Sequence, residues 1–145
     1  MQSYKAQYAL GFRQVMDAVE HIGPSRTILL EGHMGIGKSS MLPALGKRLP
    51  NHLLCYFDCT TKDLGDIMIP NVQMIDGEGK FIRYLTNEEL GAHSNEPIIL
   101  MLDEIGKCNR AVQSALRRVM LERKIGTYTL HPESIVFATT NLGAE

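Results

Sequence analysis

Gly32-His33-Met34-Gly35-Ile36-Gly37-Lys38-Ser39 fits the pattern G-x-x-x-x-G-K-[ST], and no other stretch restricts the possible folds as strongly. Such a loop works only between a buried strand that ends at it and a helix that starts from it. The chain supplies both: the apolar run Thr27-Ile28-Leu29-Leu30 precedes it and a helical pattern follows. The three glycines allow backbone conformations that turn successive N–H groups inward. With the start of the next helix they make a concave anion site suited to nucleotide phosphates. Gly32, His33, Met34, Gly35, Ile36, Gly37, Lys38, Ser39 and Ser40 are therefore the expected nucleotide cradle. Lys38 would reach the β- and γ-phosphates, and the Ser39 hydroxyl would bind Mg²⁺. The competing reading is a glycine-rich turn that merely contains Lys and Ser; the flanking strand and helix argue against it.

A length of 145 residues suits one domain with a substantial core, and the expected extent is 1–145. A hydrophobic share of 44% with 21% charged residues is that of a soluble globular chain. The formal charge of −1 offers no general attraction to nucleic acid or an anionic membrane, so neither is an expected partner. No apolar stretch approaches the ~20 residues of a membrane span. Met1-Gln2-Ser3-Tyr4-Lys5 lacks the apolar core of a secretory signal. Cys55-x-x-x-Cys59 has no partner pair at zinc-site spacing, and Cys55 falls inside an apolar run. The three cysteines fit a reducing cytoplasm.

Tyr8, Phe12, Val15, Val19 and Ile22 form the stripe of an amphipathic helix over about 2–22, ended by Gly23 and Pro24; the core follows from about 25. In the helix after the loop, Pro43 and Gly46 predict a kink or a short helix. Leu53-Leu54-Cys55-Tyr56-Phe57 reads as a second apolar strand. Val72-Gln73-Met74-Ile75 and Lys80-Phe81-Ile82-Arg83-Tyr84 flank Asp76-Gly77-Glu78-Gly79 as a β-hairpin. Thr86 and Glu89 read as a capping box for a short helix stopping near Gly91. A third strand, Pro97-Ile98-Ile99-Leu100-Met101-Leu102, ends in Asp103-Glu104. Val112, Ala115, Leu116, Val119 and Met120 stripe a further helix, and the run 135–141 is a fourth strand. Strands alternating with helices imply an α/β fold, a three-layer parallel sheet covered on both faces.

Ligand sites of parallel sheets lie at the carboxyl ends of strands. There the chain carries the loop, Asp103-Glu104 and Thr140-Asn141. A carboxylate at the tip of a buried strand is costly unless paired or near a cation, so Asp103 is the second expected metal residue. Glu104 is the expected general base for an attacking water. Asn141 could orient that water or the γ-phosphate. The plainer alternatives are an acidic loop start capping the next helix and a turn asparagine.

These segments resemble Walker A, Walker B and sensor 1 of AAA+ ATPases. The runs 102–107, 111–116, 125–128 and 137–141 are similar to the MoxR-like (dynein-related) branch, which also places a hairpin between its second and third core strands. The resemblance covers about residues 25–143. It implies a phosphate-loop NTPase core with ATP and Mg²⁺ as ligands and ATP hydrolysis as the activity. It further implies ring assembly, commonly hexameric, and remodelling or maturation of a client protein, frequently one with a von Willebrand A domain. Lys80, Phe81, Arg83 and Tyr84 of the hairpin would touch that client. The plainer reading of the hairpin is an ordinary surface element.

In the family a fifth core strand, an arginine finger and a helical lid follow sensor 1. No arginine follows Arg123, and Arg110, Arg117 and Arg118 do not match the finger's place. A finger supplies ~10³–10⁵ in rate. The expectation is a core lacking the lid, a fragment of a longer polypeptide that binds nucleotide and hydrolyses it poorly. Its alternative is a binding module with little or no turnover. The missing strand would also leave 27–31 as a sheet edge. A small-molecule kinase and a nucleic-acid remodeller remain open as minor alternatives.

Overall fold

The computed structural model describes residues 10–32 and 38–141. The elements in chain order are α1 (Phe12–Ile22), β1 (Ile28–Gly32), α2 (Met41–Arg48), β2 (Leu53–Asp58), β3 (Met68–Ile75), β4 (Glu78–Thr86), β5 (Ile98–Asp103), α3 (Arg110–Glu122), β6 (Lys124–Ile125), β7 (Tyr128–Thr129) and β8 (Ile135–Asn141). Four of the strands form one parallel sheet in the order β1-β8-β5-β2. Gly32 pairs with Asn141 and Asp58 with Asp103, so the carboxyl ends of all four strands share one edge of the sheet.

β5 and β8 are central, and 98–102 and 135–139 are buried throughout. That is why both read as unbroken apolar runs. Their side chains alternate between two clusters. Ile99, Met101, Ile135 and Phe137 meet Met16 and Val19 of α1 and Met41, Leu42 and Leu45 of α2. Ile98, Leu100, Leu102, Val136 and Ala138 meet Val112, Leu116 and Val119 of α3. The result is the expected three-layer α/β arrangement. Each fully buried Leu, Ile or Phe contributes roughly 1.5–3 kcal/mol, so the two central strands dominate the stability.

β1 and β2 are edges of this sheet. The apolar run of β2 is therefore buried only at Cys55 and Phe57, while Leu53, Leu54 and Tyr56 are exposed. β1 has β8 as its only partner among the described strands, and Leu29 is exposed, as the edge reading of 27–31 anticipates.

Several local expectations need correction. The first helix does not run from about residue 2, because Leu10 and Gly11 are not helical. Gly11 caps α1, and its N–H donates to Gln14 Oε1 at 3.0 Å. Tyr8 lies outside the described residues. Met16 and Val19 are the buried positions, whereas Phe12 and Ile22 are exposed. Of the kink or short helix expected after the loop, the short helix is what forms: α2 has 8 residues, and Pro43 is its third, where no N–H has an intrahelical partner to lose. Thr86 is not a cap; it is the last residue of β4. Asn87 caps the following turn by accepting from the Glu89 N–H at 3.0 Å.

The hairpin β3–β4 is longer than its sequence pattern and turns through Asp76 and Gly77, both at positive φ, as a two-residue hairpin loop requires. Ile69, Val72, Met74, Phe81, Ile82, Tyr84 and Leu85 are all exposed on it, on both faces. Among the described residues no helix is long and apolar enough to cross a membrane.

Candidate functional site at the strand ends

Lys38 opens a 3-10 turn, Lys38–Ser40, that leads into α2. Its half-buried ammonium donates to the carbonyl oxygens of Gly32 and Thr140, each at 3.0 Å, and to Asn141 Oδ1. The start of the loop, its lysine and the asparagine ending β8 are thus drawn together across residues 109 positions apart in sequence, because β1 and β8 are neighbours in the sheet. Ser39 and Ser40 are exposed at the start of α2. His33, Met34, Gly35, Ile36 and Gly37 lie outside the described residues.

Asp103 ends β5 between the two flanking strands. Thr139 Oγ1 of β8 donates to its Oδ1 at 2.6 Å, and the Tyr56 hydroxyl of β2 donates to its Oδ2 at 2.5 Å. That bond to Asp103, together with burial, pushes the Tyr56 phenol well above its usual range. Both oxygens of the carboxylate are engaged by neutral hydroxyls.

Glu104 follows in a left-handed conformation, φ 58° and ψ 48°, which costs an L-residue roughly 1–2 kcal/mol. Its N–H donates to Thr139 Oγ1 at 3.2 Å. Its Oε2 is buried without a partner among the described residues, and so is Asn141 Nδ2. Buried polar atoms are rarely left unpaired, and those that are call for a ligand, a water or a strained role. Here one acceptor and one donor have no partner among the described residues, at the same edge of the sheet.

The chemistry of this set suits a magnesium-bound polyphosphate. Asp103 and Ser39 offer the hard oxygen donors that Mg²⁺ prefers, Lys38 a positive charge, and Asn141 a spare N–H. The two open atoms are the fit that can be read from the structure itself.

Tyr56 and Thr139 escaped the sequence reading. Thr139 had a local signal: a hydroxyl in the middle of a wholly buried strand must find a partner. Tyr56 had none, because only the pairing of β2 with β5 brings it to Asp103. Cys55 and Cys59 are core residues, and Cys108 is half-buried beside them. Cys55 and Cys59 pack into the cluster beneath α3, and burial pushes their thiols up to about 11 and about 12.

Residues 27–141 match the AAA domain of the dynein-related subfamily. Among solved structures, the chain is similar to a protein of Cytophaga hutchinsonii assigned as an ATPase, at 22% identity and a TM-score of 0.58 over 89% of this chain. It is also similar to NtrX from Brucella abortus, at 19% identity and a TM-score of 0.57 over 94% of this chain. At these identities the likeness is one of fold. The chain spans 38% and 31% of the lengths of those two proteins.

Proposed function

Because the chain belongs to the dynein-related subfamily of AAA domains, we propose that it binds ATP with Mg²⁺ and hydrolyses it at the strand ends. The observation that carries this reading is the junction of Lys38 with Gly32, Thr140 and Asn141 beside the acidic pair. Residues 32–40 hold the triphosphate, with Lys38 as its principal cation. Ser39 and Asp103 hold the Mg²⁺. When bound, the ion neutralises phosphate charge and orients the transferred group.

The remaining chemistry belongs to the chain's own side chains. The Oε2 of Glu104, without a partner among the described residues, takes a proton from a water as that water attacks the γ-phosphorus, the bond to the β–γ bridging oxygen breaks, and ADP leaves. Asp103 thus serves the metal and Glu104 the water. The spare N–H of Asn141 holds the water or a γ-phosphate oxygen.

In the longer assembly implied by the subfamily, copies form a ring, a hexamer by analogy with MoxR-like relatives, in the cytoplasm. Hydrolysis then remodels a client protein, one with a von Willebrand A domain being the foremost candidate. The hairpin β3–β4, apolar and exposed on both faces, supports a contact of this kind.

The test measures ATP affinity and phosphate release by this chain and by its Glu104→Gln variant. Affinity is expected to persist while release falls about 10²–10⁴-fold, the contribution of a general base. Unchanged release removes Glu104 from the chemistry. Release near zero in both, with affinity intact, favours the binding module over the enzyme. No binding at all overturns the reading.

A further inference from the structure

We propose that Tyr56 and Thr139 are positioning residues that fix the Asp103 carboxylate for a divalent cation, an inference that rests on the Mg·ATP reading above. Asp103 ends the strand that lies between β8 and β2, and it receives one hydroxyl from each. The contacts of 2.6 and 2.5 Å fall in the short range for O–H donors on a carboxylate. A carboxylate has about four acceptor positions, so two are filled and others stay available for metal-bound water. Rotation of the carboxylate about either side-chain bond would break at least one hydroxyl contact. The group is held in orientation by uncharged donors.

Thr139 does more than hold one oxygen. Its hydroxyl has a single proton, and that proton goes to Asp103 Oδ1. The same oxygen accepts the Glu104 N–H, so one buried side chain ties both members of the acidic pair. Tyr56 reaches Asp103 from two residues back on β2, since Asp58 is the register partner of Asp103 and Tyr56 that of Met101. At 45% exposure, Tyr56 can lose its hydroxyl with little effect on the core.

Partners that orient a metal-binding group typically account for about 10–100-fold in metal affinity. The readout is therefore the ratio of ATP dissociation constants without and with Mg²⁺, measured by calorimetry in EDTA and in excess MgCl₂. Tyr56→Phe is expected to lower that ratio about 10-fold while leaving the EDTA value unchanged. Thr139→Val is expected to lower it as well, and Thr139→Ser, which restores the hydroxyl, to return it to the wild-type value. Melting curves establish that each variant is folded, and Tyr56→Phe supplies the decision if Thr139→Val is not. A wild-type ratio in folded Tyr56→Phe, or a ratio that rises, overturns the clamp alone. A wild-type chain without Mg²⁺-dependent ATP binding overturns the functional reading and the clamp with it.

Discussion

Replacing Lys38 with alanine is expected to weaken ATP binding about 30-fold, and the figure can be worked from the contacts of the ammonium. Lys38 Nζ donates to Gly32 O and Thr140 O at 3.0 Å and to Asn141 Oδ1, which occupies its three N–H groups. A phosphate charge about 4 Å away is worth about 4 kcal/mol at an effective dielectric constant near 20. Meeting it requires giving up at least one bond to a neutral oxygen, worth roughly 1.5–3 kcal/mol because the donor is charged. The net gain is about 2 kcal/mol, or roughly 30-fold in Kd. Calorimetry with a non-hydrolysable ATP analogue reads this directly, and a melting curve on the same sample shows whether the variant is folded. A folded Lys38→Ala variant within threefold of the wild-type Kd would refute the role of the lysine and, with it, the phosphate-loop assignment.

Three other outcomes probe the fold around the site. Gly91→Ala is expected to destabilise the chain by about 2–4 kcal/mol, since Gly91 sits at φ +74° and a Cβ would lie 2.6 Å from Cys55 Sγ and 3.1 Å from two Ile98 carbons; a urea midpoint close to wild type would contradict that packing. Phe81→Ser on the exposed hairpin is expected to change stability by less than about 0.5 kcal/mol. A loss above about 1.5 kcal/mol would mean that the hairpin packs against the core. Stability is expected to fall as pH rises above 9.0, the ordinary thiol value, through about 11 and about 12, where buried Cys55 and Cys59 ionise. The sign follows because the folded chain holds those protons more tightly than the unfolded one, so the contribution is complete below the unfolded value and lost above the folded ones. Urea midpoints at about pH 8 and about pH 10 (roughly one unit either side of the thiol value) measure it. A Cys55→Ala, Cys59→Ala double variant with an equally steep decline would refute the assignment to these thiols.

How much of this was readable beforehand depended on how local each cause was. The central strands β5 and β8 and the helix α3 announced themselves, because burial on both faces or along one stripe writes a continuous pattern. The edge place of β2 was not legible, since an apolar run looks the same whether its strand lies in the middle or at the edge of a sheet. Thr86 fitted a cap signal, but β4 runs through it, and the cap falls one residue later on Asn87. Pro43 and Gly46 left a kink and a short helix both open, and the start of α2 at Met41, which puts Pro43 in the first turn, selected the short helix.

The chain order alone determined the candidate chemistry, because glycines, a lysine, an acidic pair and an asparagine at strand ends are all short-range patterns. Membership of the dynein-related AAA subfamily rests on the match over residues 27–141, which contains those stretches. Tertiary structure decided which groups touch. Strand order brought Lys38 to Asn141, and strand register laid Tyr56 and Thr139 on opposite sides of Asp103. Such contacts join residues tens of positions apart, and no local pattern of side chains encodes the pairing of one strand with another.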